Sequence, residues 1–142
     1  MMEEAQRNAD RVRLYESTKK HECLVLLAHG SKGPRWRLPF EQILSATRAE
    51  VGEGRVLLAY MEFIEPTLMD AARTCVEQGT RRLRIFPLFL AMGAHIANDV
   101  PRQAEELRVR FPGLEVEVLT PIGEDPRMTR LIQQIVVERM SG

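Results

Sequence analysis

The chain has few of the residues and patterns that mark several common protein classes. Only two of its 142 residues are cysteines, and Cys23 and Cys75 form neither a CxxC pair nor a zinc-ligand spacing. We therefore expect both to be reduced, buried thiols. An excess of charge of one sign is also missing. Since 20 basic residues balance 20 acidic ones, no overall field favours nucleic acid or an anionic membrane surface.

Long apolar runs are absent as well. The longest, residues 85–94, is interrupted by Pro87 and Gly93 and is far shorter than the ~20 residues of a membrane-spanning helix. The amino terminus is charged from Glu3 onward and has no apolar segment of the kind found in secretory signals. Together with the unpaired cysteines, these observations predict a cytoplasmic protein that has neither a membrane nor a nucleic acid as its partner.

Composition changes near residue 22, and this change divides the chain in two. Residues 1–21 are polar, with acidic and basic side chains interleaved and few large apolar ones. We expect this part to be an extension outside the core, with at most a short helix. Residues 22–142 have the length and apolar content of one globular domain.

Four segments of that domain have the patterns of strands, residues 23–28, 55–61, 82–86 and 114–118. The first is continuously apolar, which is typical of a central strand buried on both faces. Pro87 cannot donate to a central ladder and should end the third strand. In the fourth, Val116 and Val118 alternate with glutamates, which predicts a half-exposed edge strand.

Helical patterns separate the strands. Phe40, Ile43, Leu44 and Thr47 lie at helical spacing. We expect a second helix to open at Glu65-Pro66, with Glu65 as its cap, and to end at Gly79. For the third we expect Asn98 or Asp99 as cap and Pro101 in the first turn, and for the last a start at Asp125-Pro126.

The alternation predicts an α/β fold of doubly wound type. Short connections and right-handed crossovers give a four-stranded parallel sheet with helices on both faces, and 2-1-3-4 is the simplest strand order. Ligands bind such sheets at the carboxyl ends of the strands, where the order reverses. Here that switch point lies between the first and third strands.

Two of the three histidines follow strands of this sheet. His29 comes directly after the first strand, His95 follows the third, and His21 precedes the sheet. We expect His29 and His95 to face one crevice, where imidazoles could bind a transition metal or accept a proton. Each histidine also has a structural alternative without a functional role. His29 could cap the strand through hydrogen bonds in a tight turn, and His95 could be a core side chain with its hydrogen bonds satisfied there.

Other residues near the same crevice are candidates for ligand binding. Glu62 follows the second strand among apolar neighbours, where a carboxylate needs a hydrogen-bond or charge partner or has a functional role. Residues 88–92 form either core or the apolar wall of a pocket. Basic side chains near the histidines are either solvated or hold ligand carboxylates or phosphates. These basic residues are Lys32, Arg35, Arg37 and Arg102.

The motifs, taken in order, resemble those of a known family. Residues 26–31 read LLAHGS, residues 59–62 read AYME ahead of Pro66, and residues 87–90 read PLFL. Gly93, His95, Asp99, Val100 and Pro101 follow them. Over residues 24–135 the chain resembles the sirohydrochlorin chelatases, in particular the small single-domain cobaltochelatases of cobalamin biosynthesis. The resemblance implies a chelatase-like (flavodoxin-like) fold.

The resemblance also implies residue roles and partners. His29 and His95 would be the catalytic pair and the metal ligands, and Glu62 the motif glutamate. No organic cofactor is implied. The substrates would be sirohydrochlorin and a divalent metal, Co²⁺ first, then Fe²⁺ and, since no histidine-rich stretch is present, least of all Ni²⁺. A single-domain member would work as a homodimer. The ring would contact the residues Ser31, Lys32, Arg35, Leu88, Phe89, Leu90, Met92 and Gly93.

Two other functions stay open on the residues alone. A non-catalytic module could hold the metal or the tetrapyrrole with the same side chains. A histidine phosphotransferase could use a strand-exit His-Gly pair, but its nucleophile needs an adjacent arginine for the phosphate. Ala28 precedes His29, and Ser31 is the second residue after it, so we rank this alternative lowest.

Overall fold

A single sheet of four parallel strands organises the protein. The computed structural model describes residues 2–18 and 22–142. The strand order is β2-β1-β3-β4, which confirms the predicted 2-1-3-4 order and the edge position of the fourth strand. In register, Leu26 lies beside Leu58 on one side and Phe86 on the other. The strands are β1 (Glu22–Ala28), β2 (Val56–Tyr60), β3 (Arg82–Pro87) and β4 (Glu115–Val118).

In the part of the chain that the structure describes, five helices accompany the sheet, and a short 3₁₀ turn, Ile122–Glu124, follows β4. None of the helices in the described ranges combines the length and apolar character that a membrane crossing requires. The helices are α1 (Met2–Thr18), α2 (Leu38–Val51), α3 (Leu68–Glu77), α4 (Ala94–Arg110) and α5 (Pro126–Ser141).

Helices cover both faces of the sheet, as the sequence predicts, and β1 separates two cores. Its alternate residues Val25 and Leu27 pack with α3 and α4. Leu26 and Ala28 pack on the opposite face with side chains of α2. Because both faces of β1 are covered, its sequence is a continuous apolar run rather than an alternating one.

The two cysteines lie in the core beneath α3 and α4. Cys23 and Cys75 are free thiols that expose 1% and 0% of their surface. The prediction that both cysteines are buried is therefore confirmed.

The start of α3 differs from the prediction. Thr67 rather than Glu65 caps the helix: its hydroxyl accepts from the Asp70 N–H at 3.1 Å, and the Asp70 carboxylate accepts from the Thr67 N–H at 2.9 Å. This reciprocal capping box satisfies backbone donors that neither Glu65 nor Pro66 could satisfy from outside the turn. The bond from the Thr67 N–H is the main cause that lowers the pKa of Asp70.

Removing this cap should destabilise the protein measurably. For Thr67→Ala we expect a loss of about 1 kcal/mol in the free energy of unfolding, measured by urea denaturation. Thr47→Ala is the control, because its hydroxyl bonds the Ile43 carbonyl inside α2 and alanine is the better helix former there. Alanine keeps the backbone N–H that bonds the Asp70 carboxylate, so Thr67→Ala and the unmodified protein should both lose stability as the pH falls through the lowered folded-state pKa of Asp70. Equal stability of both variants would contradict the capping box.

The start of α4 is the second difference. Gly93 is the N-cap, and its carbonyl accepts from the Ala97 N–H at 2.9 Å. The expectation of a cap at Asn98 or Asp99 is therefore wrong, and Pro101 lies inside the helix rather than in its first turn. Because Pro101 has no N–H, the carbonyl of Ala97 lacks its helical hydrogen bond. Ala97 is exposed, so water can supply a hydrogen bond in its place.

The helix α1 occupies most of the predicted extension. Its described side chains, residues 3–11, are all exposed. Met1 and residues 19–21, His21 among them, lie outside the described residues. That all of residues 1–21 lie outside the core therefore stays a prediction. The helix within them is longer than expected.

The last helix begins as predicted but has few contacts with the sheet. The Asp125 carboxylate caps it by accepting from the Arg127 N–H at 2.9 Å. No residue of α5 is buried, and its main contacts are with the 3₁₀ turn before it. Its large apolar side chains are consequently exposed to solvent. They are Leu131, Ile132, Ile135, Val136, Val137 and Met140.

Candidate active site

Three strand exits meet around His29. The Met61 N–H donates to the Ala28 carbonyl at 3.0 Å, and the Glu62 N–H donates to the His29 carbonyl at 3.2 Å. On the other side of β1, the Leu88 N–H donates to the Leu27 carbonyl at 2.9 Å. His29 therefore lies between the exits of β2 and β3, at the predicted switch point of the sheet.

Gly30 allows this close approach of the first two exits. Its φ is +103°, in the left-handed region that favours glycine. A Cβ atom at this position would lie 1.9 Å from the carbonyl oxygen of Glu62. No side chain fits there, so the glycine of the His-Gly-Ser motif fixes the position of Glu62 beside His29.

Adding one methyl group at Gly30 should therefore disturb the fold. We expect Gly30→Ala to lower the free energy of unfolding by about 2 kcal/mol or more, because backbone strain and a backbone clash act together. Gly33→Ala is the matched control in the same loop, since its Cβ would make only an ordinary 3.6 Å contact with Ser31 Oγ. Thermal unfolding of both variants measures the difference. A Gly30→Ala variant as stable as Gly33→Ala would contradict the packing described here.

The imidazole of His29 is exposed and rests against an aromatic ring. Its centroid lies 5.7 Å from that of Phe89, with an edge-to-face angle of 66°. Phe89 itself is only 7% exposed, so it offers a fixed surface to the histidine. The ring of His29 is therefore oriented on one side and accessible to a ligand on the other.

His95 is the second residue of α4 and is also exposed, not satisfied inside the core. Asp99 lies one turn further along the helix. A hydrogen bond from Arg102 is the main cause that lowers the pKa of Asp99, and Gln103 and the charge of His95 act in the same direction. Asp99 is therefore an ionised carboxylate beside the histidine.

Gln103 connects α4 to the exit of β2. Its side-chain amide donates to Asp99 Oδ2 at 3.0 Å and to the Met61 carbonyl at 3.4 Å. Met61 directly precedes Glu62, whose carboxylate is exposed. The elements that carry His95 and Glu62 are thus joined by one side chain. This link could not be predicted from the sequence, because a lone glutamine on a helix gives no signal of a tertiary contact.

The predicted basic residues do not all lie at the crevice. The ammonium of Lys32 lies 5.9 Å from the ring centroid of Phe63, in the exit of β2. Arg35 is exposed in the same loop. Arg37, however, borders the outer edge of β2 and pairs with Glu41 at 3.8 Å. Arg102 is engaged by Asp99 and Glu106, so neither of these two arginines is free in the crevice.

The segment after β3 is divided between the two sides of the sheet. Leu88 packs with the core beneath α2, whereas Phe89 and Met92 pack with the core beneath α3 and α4. Leu90 is 61% exposed, and Gly93 caps α4. Ser31, at the exit of β1, accepts a hydrogen bond from the Gly33 N–H at 3.2 Å. The ring-binding roles of these residues stay predictions.

The 3₁₀ turn after β4 supports this segment from behind. The Gly123 N–H donates to the Phe89 carbonyl at 3.0 Å. A Cβ atom on Gly123 would lie 1.7 Å from the carbonyl oxygen of Leu90, so only glycine fits. Sequence reasoning did not single out Gly123, although an isolated glycine after a strand can signal such a close backbone approach.

Candidate metal donors at the crevice are few. Within residues 2–18 and 22–142, no group of three or more histidine, cysteine, aspartate and glutamate side chains could hold a metal ion. His29 and His95 are thus the two imidazoles that the described chain offers at this end of the sheet. Resident zinc sites, by comparison, use three or four protein ligands.

The fold is that of a small doubly wound α/β protein, with two exposed histidines in the segments that follow β1 and β3. The chain belongs to the CbiX family, whose model matches residues 23–139. The crystal structure of a CbiX protein from Marinobacter aquaeolei VT8, assigned to cobalamin (vitamin B12) biosynthesis, is similar with a TM-score of 0.76. It is 34% identical, and the match covers 84% of this chain and 98% of that one.

Curated relatives carry chelatase names. The chain is 41% identical over 86 residues to the sirohydrochlorin cobaltochelatase of Methanocaldococcus jannaschii, a match that covers 57% of each protein. It is 30% identical over 100 residues to the chloroplastic sirohydrochlorin ferrochelatase of Arabidopsis thaliana, covering 70% of this chain and 44% of the relative. The chain thus spans about half the length of these two relatives.

A cobalt complex of the sirohydrochlorin chelatase SirB from Bacillus subtilis subspecies spizizenii shares the fold. Its TM-score is 0.73 at 23% identity, and the match covers 83% of this chain and 50% of that one. The predicted chelatase-like fold and the family resemblance are therefore confirmed.

Proposed function

We propose that this protein inserts a divalent metal into sirohydrochlorin, with Co²⁺ as the preferred ion and Fe²⁺ the next. The observation that carries the proposal is the exposed imidazole of His29 at the meeting point of three strand exits, with His95 at the start of the helix that follows β3. The chelatase names of the relatives support the same assignment.

The reaction matches the chemistry of two imidazoles. The ion must lose bound water and be placed over the ring, and two pyrrole N–H groups must lose their protons while two metal–nitrogen bonds form. A neutral imidazole can ligate the ion and can also accept a proton. We assign both tasks jointly to His29 and His95, and we assign to Glu62 the orientation or relay of protons.

The small number of protein donors supports a metal ion that is transferred to the ring rather than retained by the protein. Two imidazoles leave several coordination positions open, through which the nitrogen atoms of the ring can replace water. The ion is accordingly a substrate, and the proposal includes no organic cofactor.

The ring needs partners for its carboxylates and for its apolar face. We assign the carboxylates to Ser31, Lys32 and Arg35, since all three follow His29 and the Lys32 ammonium already lies over the exit of β2. We assign the apolar contact to the segment after β3, where Leu90 is exposed beside the buried Phe89. The ring-facing segment comprises Leu88, Phe89, Leu90, Met92 and Gly93.

A homodimer is part of the proposal. Helix α5 exposes a continuous set of large apolar side chains, among them Leu131, Ile135 and Met140. Monomeric soluble proteins rarely expose such a patch unless it is an interaction site. A second copy can cover it symmetrically, because two-fold contacts use the same surface on both subunits. We also place the protein in the cytoplasm, which its two reduced thiols support.

The proposal predicts graded effects at the three site residues. Glu62→Gln should lower the insertion rate by about tenfold, less than either histidine substitution, because the amide keeps the shape of the side chain but cannot relay protons. Glu53→Gln, in the exposed turn before β2, is the control for loss of one carboxylate. Initial rates of Co²⁺ insertion give the comparison. A loss at Glu62 greater than at His29 and His95 would make the carboxylate the principal base.

Binding and catalysis can be separated in one experiment. Sirohydrochlorin is titrated with the protein without metal, and insertion is then followed from the same complex. The proposal predicts ring binding together with an insertion rate above the spontaneous one. Ring binding without acceleration would favour the non-catalytic module, and release of phosphate from generic phosphomonoesters would favour the phosphotransferase.

A further inference from the structure

The outer edge of β2 forms a groove that the proposed metal chemistry does not use. Its floor is the open edge of the strand, and its walls are α2 and α3. The cavity has a volume of about 270 Å³, close to the lower end of the ~300–1,000 Å³ typical of ligand pockets. Arg48, Tyr60 and Glu65 are among its lining residues.

The backbone of β2 presents an unused donor and acceptor to this groove. The Met61 N–H donates to a carbonyl of β1, and the Arg55 carbonyl accepts from an N–H of β1. The backbone N–H and C=O groups of the odd-numbered residues of β2 therefore point towards β1. The Val56 carbonyl instead accepts from Arg48 Nε at 3.0 Å, and the Tyr60 N–H donates to the Pro66 carbonyl at 2.9 Å. Backbone groups of a strand alternate in direction. Leu58, between these two, therefore directs its N–H and C=O into the groove.

The side chain of Tyr60 lines the same groove. Tyr60 is only 2% exposed, and among the described residues none forms a hydrogen bond with its hydroxyl. Burial, with the nearby Glu41 carboxylate, raises the pKa of Tyr60, so the group remains a donor. A ligand oxygen in the groove could therefore accept a hydrogen bond from this hydroxyl.

Opposite charges lie at the two ends of the exposed edge. Arg48 reaches the Val56 end, and its bond to the Val56 carbonyl uses one of its five guanidinium donors. Glu65 follows the Tyr60 end and is exposed. Val56 and Tyr60 are about 13 Å apart at ~3.3 Å per residue. An extended peptide of three residues spans about 10 Å. Its two terminal charges could therefore lie near Arg48 at one end of the edge and Glu65 at the other.

We propose that the groove at the open edge of β2 binds a short zwitterionic peptide, two or three residues long, as an additional strand antiparallel to β2. This orientation places the peptide ammonium near Glu65 and its carboxylate near Arg48. A strand of a second copy does not fit, because α2 and α3 border the edge and, among the described residues of β2, leave Leu58 alone with free backbone groups on that side. The proposal does not depend on the chelatase function, since the groove contains neither site histidine.

The test is a titration of ¹⁵N-labelled protein with L-trialanine, followed by amide shifts. We expect saturable shifts at Leu58 and its neighbours with a millimolar dissociation constant. N-acetyl-trialanine and trialanine amide, which each lack one terminal charge, should bind at least about threefold more weakly. Absence of shifts at Leu58 with tens of millimolar peptide would overturn the proposal, as would equal binding of all three peptides.

Two substitutions locate the peptide. Glu65→Gln and Tyr60→Phe should each weaken binding by about three- to tenfold, because each removes one polar partner. Glu53→Gln is the matched control for Glu65 and lies outside the groove, so it should bind as the unmodified protein does. Glu65 is exposed, so its variant should fold even if Tyr60→Phe does not. Unchanged affinity in Glu65→Gln would refute the antiparallel orientation.

Discussion

Replacing either site histidine by alanine should lower the rate of Co²⁺ insertion by about 100-fold or more, the size expected when an acid–base group or ligand is lost. His29 and His95 are both exposed and belong to no core cluster, so their removal should change the free energy of unfolding by less than about 0.5 kcal/mol. The loss of activity should therefore occur in a folded protein. Initial rates and thermal unfolding, measured on the same preparations, give the two quantities.

The control for these variants lies on the same helix as His95. Asn98→Ala removes an exposed polar side chain from the first turns of α4 without touching the proposed site. It should insert Co²⁺ at the unmodified rate. If His29→Ala and His95→Ala also retained that rate, the assignment of the site would be wrong.

Placing a charge on α5 should disrupt the proposed homodimer. Ile135 lies in the middle of the exposed apolar set, and burying a carboxylate in such an interface costs several kcal/mol. We expect Ile135→Asp to sediment as a monomer at concentrations at which the unmodified protein is a dimer. Its own fold should persist, because no residue of α5 is buried within the subunit.

Gln133→Asp introduces the same charge on α5 at a polar position and serves as the control. It should remain dimeric. A monomeric unmodified protein, or an Ile135→Asp variant that is still a dimer, would contradict the role of α5. Comparing insertion by the monomeric variant with that of the control then tests whether dimerisation matters for activity.

The sheet could be predicted because its signal is local. The buried run of β1 and the alternation in β4 follow from which faces are covered, and short connections left the 2-1-3-4 order as the simplest arrangement. The switch point and the position of His29 followed from that order. Helix starts were predicted less well. At α4, Pro101 suggested a first turn, but the helix tolerates it in its interior and begins at Ala94.

The predictions that failed or could not be made concern tertiary contacts. Thr67 caps α3 through a reciprocal bond with Asp70, and the more prominent Glu65-Pro66 pair obscured it. The contact of Gln103 with the Met61 carbonyl joins residues 42 positions apart, which no local pattern encodes. The start of α5 could be predicted from Asp125-Pro126, but the exposure of its apolar side chains within the subunit could not.

The proposal is tested most directly by anaerobic insertion of Co²⁺ into sirohydrochlorin, followed by the change in visible absorption, with Fe²⁺ and Ni²⁺ measured in parallel. We predict a rate that is proportional to protein concentration, exceeds the spontaneous rate and is highest with Co²⁺. A rate equal to the spontaneous one for all three metals, from a folded protein that binds the ring, would contradict the proposed enzyme.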